Sequence, residues 1–336
     1  MKKHKVLKII GIILASILLL WAIINIIPPK KTIQNNPFVL EKGQKTMIAA
    51  HRGGSASNPE NTMLAFREAV NTFKVDIIES DLYLTKDGYL VYNHDSYIDE
   101  TCNINGDISL DAVKELCNDK ANRHYISDMT LAELEQYNFG YYFEDKNGQR
   151  IYKDAENYAE LGLQIATADK LFEEFYETHP DLLFIVEIKN GGDLGFKACK
   201  ILSDTLDKYP EYRDQIVIGT FNDEVEAELK EKYPDLLRGA SMGTAKQFVI
   251  TQYAGVNLFD DSDFSCLQIP MSYDIGVEIP LASRSLIRRA HRRNMAVQYW
   301  TINDADDMRK LINMGCDCIM TDDPELMRQV LDEMQK

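Results

Sequence analysis

The sequence predicts an α/β chain: an irregular (β/α)8 barrel with an insertion after its third strand, preceded by one N-terminal transmembrane helix. Three observations carry this. Short apolar runs alternate with amphipathic, helix-like stretches from residue 46 to the end, as parallel strands joined by helices require. Those runs end repeatedly in charged or imidazole side chains. Residues 9–27 contain no charged residue at all.

That first run, "IIGIILASILLLWAIINII", would extend about 28 Å as a helix, close to the thickness of a bilayer's hydrocarbon layer. Lys2, Lys3, Lys5 and Lys8 precede it, and only Lys30 and Lys31 follow closely. The excess of positive charge before the helix predicts a cytoplasmic N-terminus at 1–8 and an exported remainder. A signal peptide would have a shorter apolar core and a small-residue cleavage site. "INIIPPKK" offers none, so an uncleaved single-pass anchor in the cell membrane is expected, followed by a linker at 28–45 and the barrel at 46–336.

Hydrophobic residues make up 45% of the 336, enough for a sizeable core. The first forty residues carry six of the 37 basic residues and no acid; the remainder holds 31 against 53 acidic residues, a net charge of −22. That balance excludes nucleic acid as a partner. The six cysteines lack any C-x-x-C pair, and small buried side chains are favoured over a disulfide framework.

Strand-like runs stand at 47–50, 75–80, 89–93, 183–188, 216–221, 266–270, 297–300 and 317–320, with a weaker one at 238–241. Nine candidates for eight places mean that one does not belong to the barrel. Helices are expected at 61–73, 168–178, 193–208, 222–232, 283–293, 304–314 and 323–335. Only "DLYLTKDG" separates the second and third runs, too short for a crossover helix, so the barrel should be irregular there. The segment 96–182 is polar and rich in Tyr, Asn and Asp. It reads as an insertion over one end, with a capping box in "TLAELEQY" from Thr130 to Glu133.

The strand ends carry the chemistry. The first ends in His51-Arg52, the second in Glu79 and Asp81, the third in His94-Asp95, the fourth in Glu187 and Lys189. The seventh or eighth ends at Trp300, and the last at Thr321-Asp322. In a parallel barrel these positions share the rim where such enzymes act. Residues i and i+2 of a strand project together, so Glu79 and Asp81 share a face, as do Glu187 and Lys189. Three converging carboxylates need a cation, and all-oxygen ligands favour a hard divalent ion. Extracellular abundance favours Ca²⁺, with Mg²⁺ as the alternative. Two histidines plus Arg52 and Lys189 then suit a phosphate ester: cations neutralise phosphoryl oxygens, and imidazoles move protons near neutral pH.

The combination "HRGG…PENT", "ESDLYLTKDG…HD", "VEIK", "YWTIND" and "IMTDDP" resembles the glycerophosphodiester phosphodiesterases over residues 46–326. The resemblance implies an irregular TIM barrel, a divalent metal and hydrolysis of glycerophosphodiesters to glycerol 3-phosphate and an alcohol. Glu79, Asp81 and Glu187 match the metal ligands, His51 and His94 the acid–base pair, and Arg52 and Lys189 the phosphate contacts; Trp300 is a candidate for the glycerol pocket, with core packing as its alternative. His51 is taken as base and His94 as acid, although spacing does not decide it. Asn61 reads as a helix cap, with a contact in the site as its alternative, and Phe221 as a core residue. The family's usual "PTLEE" stands here as "IATADKLFEE", without the proline, which leaves the substrate's alcohol open. Lysophospholipids or teichoic-acid chains are the same-chemistry alternatives. A catalytically silent surface binding module is the alternative of another class, and the intact His pair speaks against it.

Overall fold

Alternation of side chains in the strands builds two cores at once. A computed structural model describes residues 2–27, 29 and 33–334. Its strands are β1 (Met47–Ala50), β2 (Ile77–Leu84), β3 (Leu90–Tyr92), β4 (Leu183–Ile188), β5 (Ile216–Gly219), β6 (Leu237–Arg238), β7 (Cys266–Ile269), β8 (Ser272–Asp274), β9 (Glu278–Pro280), β10 (Ala296–Tyr299) and β11 (Cys318–Thr321). Ala49, Ile77, Leu183, Ile185, Val217, Cys266, Ala296, Cys318 and Met320 fill the barrel interior. Their neighbours Ile48, Ile78, Phe184, Val186, Ile218, Leu267, Val297 and Ile319 face outward, under the helices.

The parallel strands run in the order β6-β5-β4-β2-β1-β11-β10-β7. A bridge between Gly239 and Cys266 brings the two ends of that order together, nearly closing a barrel of eight. The candidate that does not belong to the barrel is the third run, β3, which pairs antiparallel with the far end of β2, Leu82 opposite Tyr92, while the weaker run at 238–241 begins at the barrel strand β6. The tight turn at 85–88, with Gly88 at φ 90°, sends the chain back on itself. The irregularity thus lies where the short connection required it.

The helices expected after β4, β5, β7, β10 and β11 are present at 192–206, 223–232, 284–291, 305–314 and 324–333. A helix at Met242–Tyr253 and the β8–β9 hairpin were not anticipated. The helix is only weakly amphipathic, because "MGTAKQFVITQY" scatters its apolar residues. Within the insertion the Thr130–Glu133 capping box forms as expected. Val91, Ile98, Cys102, Ile126, Leu134, Phe139 and Ile165 give that segment a small core of its own. It packs at the C-terminal end of the barrel: Leu64 N–H donates to Gly162 C=O at 3.2 Å, and Lys146 pairs with Glu325 at 3.5 Å.

The N-terminal helix spans Lys2–Ile26 and contains nearly all of the apolar run. Pro28 and residues 30–32 of the expected linker, including Lys30 and Lys31, lie outside the described residues. Residues 33–40 close the N-terminal end of the barrel. Phe38, fully buried, plugs the interior, which contributes about 2 kcal/mol. Asn36 Nδ2 ties this plug to Ser265 and Asn294 carbonyls at 2.9 Å each. All six cysteines are free and buried, in keeping with the packing role.

Candidate active site

The strand β1 stops at Ala50 because His51–Gly53 turn into a single 3₁₀ turn. Arg52 adopts a left-handed φ of 52°, unusual for a side chain of its size. Gly53 and Gly54 follow at φ 84° and 92°. A Cβ on Gly53 would lie 2.8 Å from that of Ala65, and one on Gly54 would meet Pro324 at 3.0 Å, so neither position accepts a larger residue without movement. This turn aims the Arg52 amide at Glu79 Oε2, 2.9 Å away.

Glu79 and Asp81 extend the interior face of β2 beyond Ile77, and both are almost fully buried. Glu187 does the same for β4, with Asp81 opposite Glu187 in the register. The three carboxylates each offer an oxygen within 4.8 Å of the others. Burial, reinforced by the Asp81 charge, pushes Glu79 up to about 8, and burial also raises Glu187. A cation bound among the three would favour the ionised forms of Glu79 and Glu187. The trio's all-oxygen donor set fits Mg²⁺ or Ca²⁺.

Cationic side chains lean on the trio. Lys189 Nζ stands 3.3 Å from Asp81 and 3.2 Å from Glu187. Burial would lower the Lys189 amine, but Asp81 and Glu187 outweigh it and raise it. Arg52 Nη1 pairs with Glu60 at 2.9 Å, while its Nε, 3.5 Å from Asp81, is buried without a hydrogen-bond acceptor among the described residues.

His51 Nδ1 bonds Asp322 Oδ1 at 2.6 Å, leaving Nε2 facing Glu79 at 4.0 Å. Burial would lower the imidazole, but Asp322 and Glu79 prevail and raise it. Burial would raise Asp322, yet the His51 bond holds it down to about 2. Ser55 and Asn303 bond the same carboxylate at 2.7 and 2.6 Å. His94 reaches the rim by the antiparallel return of β3: Asn93 N–H donates to Asp81 C=O at 3.0 Å. Its Nδ1 lies 3.3 Å from Asp95. About a third of its side chain is exposed, twice the fraction for His51.

Trp300 packs edge-on against Phe221, ring centres 6.2 Å apart. It lines a cleft of about 530 Å³ with Pro270, Met271, Ser272, Asn303 and Asp304. All eight sequence-predicted residues therefore sit at the C-terminal end of the barrel. Two neighbours differ from expectation. Asn61 does not cap the first barrel helix; Thr62 does, accepting from Ala65 N–H at 3.2 Å. Asn61, at φ 56°, instead donates to Asp81 Oδ2 at 3.1 Å and accepts from its amide at 3.3 Å. Phe221 is no core residue: it is 49% exposed, with Lys189 Nζ 5.9 Å from its ring centre. Sequence reasoning gave no role to Asp322, Ser55 or Asn303, although "YWTIND" and "IMTDDP" were singled out as motifs.

The model of the glycerophosphoryl diester phosphodiesterase family matches residues 51–326. A glycerophosphodiester phosphodiesterase of Caldanaerobacter subterraneus subsp. tengcongensis is 28% identical over 283 residues, covering 84% of this chain and 96% of that protein. Among solved structures, the glycerophosphoryl diester phosphodiesterase domain of an uncharacterized Mycobacterium tuberculosis protein superposes with a TM-score of 0.64 at 18% identity, over 85% of this chain and 99% of that one. An Oleispira antarctica phosphodiesterase, solved in complex with the product sn-glycerol-3-phosphate, gives 0.60 at 20% identity, over 86% and 97%.

Proposed function

Because the chain belongs to the glycerophosphoryl diester phosphodiesterase family, we propose that it hydrolyses glycerophosphodiesters to glycerol 3-phosphate and an alcohol, with Glu79, Asp81 and Glu187 holding one divalent cation, Ca²⁺ or Mg²⁺. The observation that carries this is the buried trio of carboxylates within 4.8 Å of one another, flanked by two histidines. A cation bound there would draw charge from the phosphoryl oxygens.

The remaining roles belong to the chain's own atoms. Lys189 Nζ and the unpaired Nε of Arg52 donate to the phosphate, and Asn61 fixes the rotamer of Asp81. His51 takes a proton at Nε2 from the attacking hydroxyl. Asp322 keeps the other proton on Nδ1 and stabilises the imidazolium that forms, as in other aspartate-oriented bases. His94, more exposed, gives a proton to the departing alkoxide, which leaves through the open side of the rim. Trp300 and Phe221 supply an apolar wall for the glycerol carbons.

The N-terminal helix is read as a retained anchor, with the barrel at 46–336 outside the cytoplasmic membrane. The exposed apolar surface of residues 4–21 supports a span, and the contacts of its last turn with the barrel support its retention. The deciding assay incubates the full-length protein with several glycerophosphodiesters, with and without chelator, and measures glycerol 3-phosphate. Release that is chelator-sensitive is expected; no release from any diester overturns the reading.

A further inference from the structure

Two ends of the barrel differ in what touches the N-terminal helix. Among the described residues, the contacts of that helix with the domain come from its last two turns, from Trp21 on. Trp21 Nε1 donates to Ala254 C=O at 3.1 Å, and Asn25 Nδ2 donates to Gly255 C=O at 2.7 Å. Arg292 donates to the carbonyls of Asn25 and Ile27 at 2.9 Å each and of Ile26 at 3.2 Å, and Arg289 reaches Asn25 Oδ1 at 3.1 Å. These carbonyls are the ones a helix leaves without partners at its C-terminus, and a guanidinium both satisfies them and complements the dipole. Every one of these partners lies in or just beyond the C-terminal end of a helix, Met242–Tyr253 or Arg284–His291, that precedes β7 or β10 in the chain. They belong to the N-terminal end of the barrel, the end that Phe38 plugs. The carboxylates and both histidines lie at the other.

The surface around the contact has the character of a membrane-facing base. Phe259 is 73% exposed and Ile250 66% exposed, on either side of the 254–255 contact. Trp21 lies in the last two turns of the helix, on the side of the span nearer the barrel, and tryptophans gather towards membrane interfaces. In a domain of strongly negative charge, "RSLIRRAHRR" sets the exposed Arg284 and Arg288 beside the two arginines that hold the anchor, and exposed arginines there attract anionic headgroups.

From this we infer that the barrel stands with its base on the bilayer and its active site turned away from it, so that its substrates are glycerophosphodiesters reached from the aqueous side and not headgroups of the membrane that anchors it. The inference rests on the hydrolase reading and on the helix being a span. Its scale is set by β11. From Asp317 at the base to Asp322 at the rim is about five residues, roughly 13 Å along the axis of a barrel with tilted strands. The headgroup layer adds only about 5–7 Å beyond the hydrocarbon on each side. A lysophospholipid held in the same leaflet would have to leave it to reach Glu79.

The test uses full-length protein in vesicles of phosphatidylcholine and phosphatidylglycerol. Because the six native cysteines are buried, Phe259→Cys and Asn147→Cys can each carry a fluorophore, one at the base and one on the insertion above the rim. Lipids with a nitroxide headgroup should quench the label at 259 several-fold more than the label at 147. Equal quenching overturns the orientation, and this readout needs no activity. In parallel, lysophosphatidylcholine embedded in the vesicles should be hydrolysed at least about 100-fold less efficiently than soluble glycerophosphocholine, the scale expected of a misplaced substrate. A short-chain, monomeric lysophosphatidylcholine should be cleaved, which separates geometry from pocket chemistry. Comparable hydrolysis of the embedded and soluble diesters overturns the inference. If no diester is cleaved the hydrolase reading falls, while the quenching still decides the orientation.

Discussion

The strand β11 has an aspartate beyond each end, and each binds a histidine at almost the same distance. Asp317 at the base lies 2.7 Å from His291 Nε2; Asp322 at the rim lies 2.6 Å from His51 Nδ1. Their surroundings differ. Asp317 is fully buried and spends its oxygens on the amides of Val297 and Leu40, at 2.6 and 2.9 Å. It stitches the plug and a helix end to the sheet. Asp322 instead gathers side chains, Ser55 and Asn303, around His51, whose second nitrogen looks onto Glu79 of the buried carboxylate trio. A histidine–aspartate bond is therefore not itself the mark of a site. What the other ring nitrogen faces is.

The sharpest way to break this contrast is to remove what His51 faces. Ala in place of Glu79, Asp81 or Glu187 should leave no measurable activity. It should also abolish the rise in Tm on adding cation, a stabilisation of about 2.7 kcal/mol at a hundredfold excess over Kd. A triple variant that still melts higher with cation would place the ion elsewhere.

Next in size are the two imidazoles. His51→Ala and His94→Ala should each lower kcat by about 10²–10⁴, roughly 3–5 kcal/mol of barrier, with the fold intact. A nitrophenyl ester, whose leaving group needs no proton, should rescue His94→Ala and leave His51→Ala impaired. Rescue of His51→Ala alone would reverse the two roles.

The two aspartates can then be compared directly. Asp322→Asn should lower kcat about tenfold to a hundredfold by loosening His51, at a cost in stability of no more than about 1 kcal/mol. Asp317→Asn should destabilise by about 1–3 kcal/mol, through its amide partners, while folded protein keeps its kcat. If both variants lose activity equally, the base is coupled to the site in a way these contacts do not explain.

The smallest expected effect is on stability against pH, measured with chelator present. His51 binds its proton more tightly when folded, so its stabilisation is full below its unfolded value near 6.5 and is lost as pH rises through the folded one. Asp322 works in the opposite sense: its contribution is full above 3.8 and is lost as pH falls through about 2. The pair should help most between about 4 and 6.5, and Asp322→Asn should flatten the Tm profile there by about 2–4 °C.

Much of the site was legible because it sits at strand ends, where period-two alternation dictates which residues converge. Glu79, Asp81 and Glu187 follow from Ile77 and Ile185 with no further information. Residues that act through loops were harder. Asn61 and Thr62 are adjacent and both are good capping residues, so only the backbone, left-handed at 61, decides that Thr62 caps and Asn61 turns to Asp81. Phe221 reads as core by type, but β5 ends two residues earlier and leaves it outside. The helix at 242–253 escapes a sequence reading because its apolar residues follow no stripe, and β3 reads as the third stave because so short an apolar run does not reveal the direction of pairing.

The register of β1 has a further meaning for how the molecule is made. Its Ala50 pairs with Thr321 on one side and with Ile78 on the other. The carboxylates come from strands in the first 190 residues and can converge early in synthesis. The partner of His51 is nearly the last part of the barrel to leave the ribosome, and contacts so distant in sequence form slowly. On the proposed roles, the nascent chain could gather its acidic cluster before it could orient His51, which needs the sheet closed on itself.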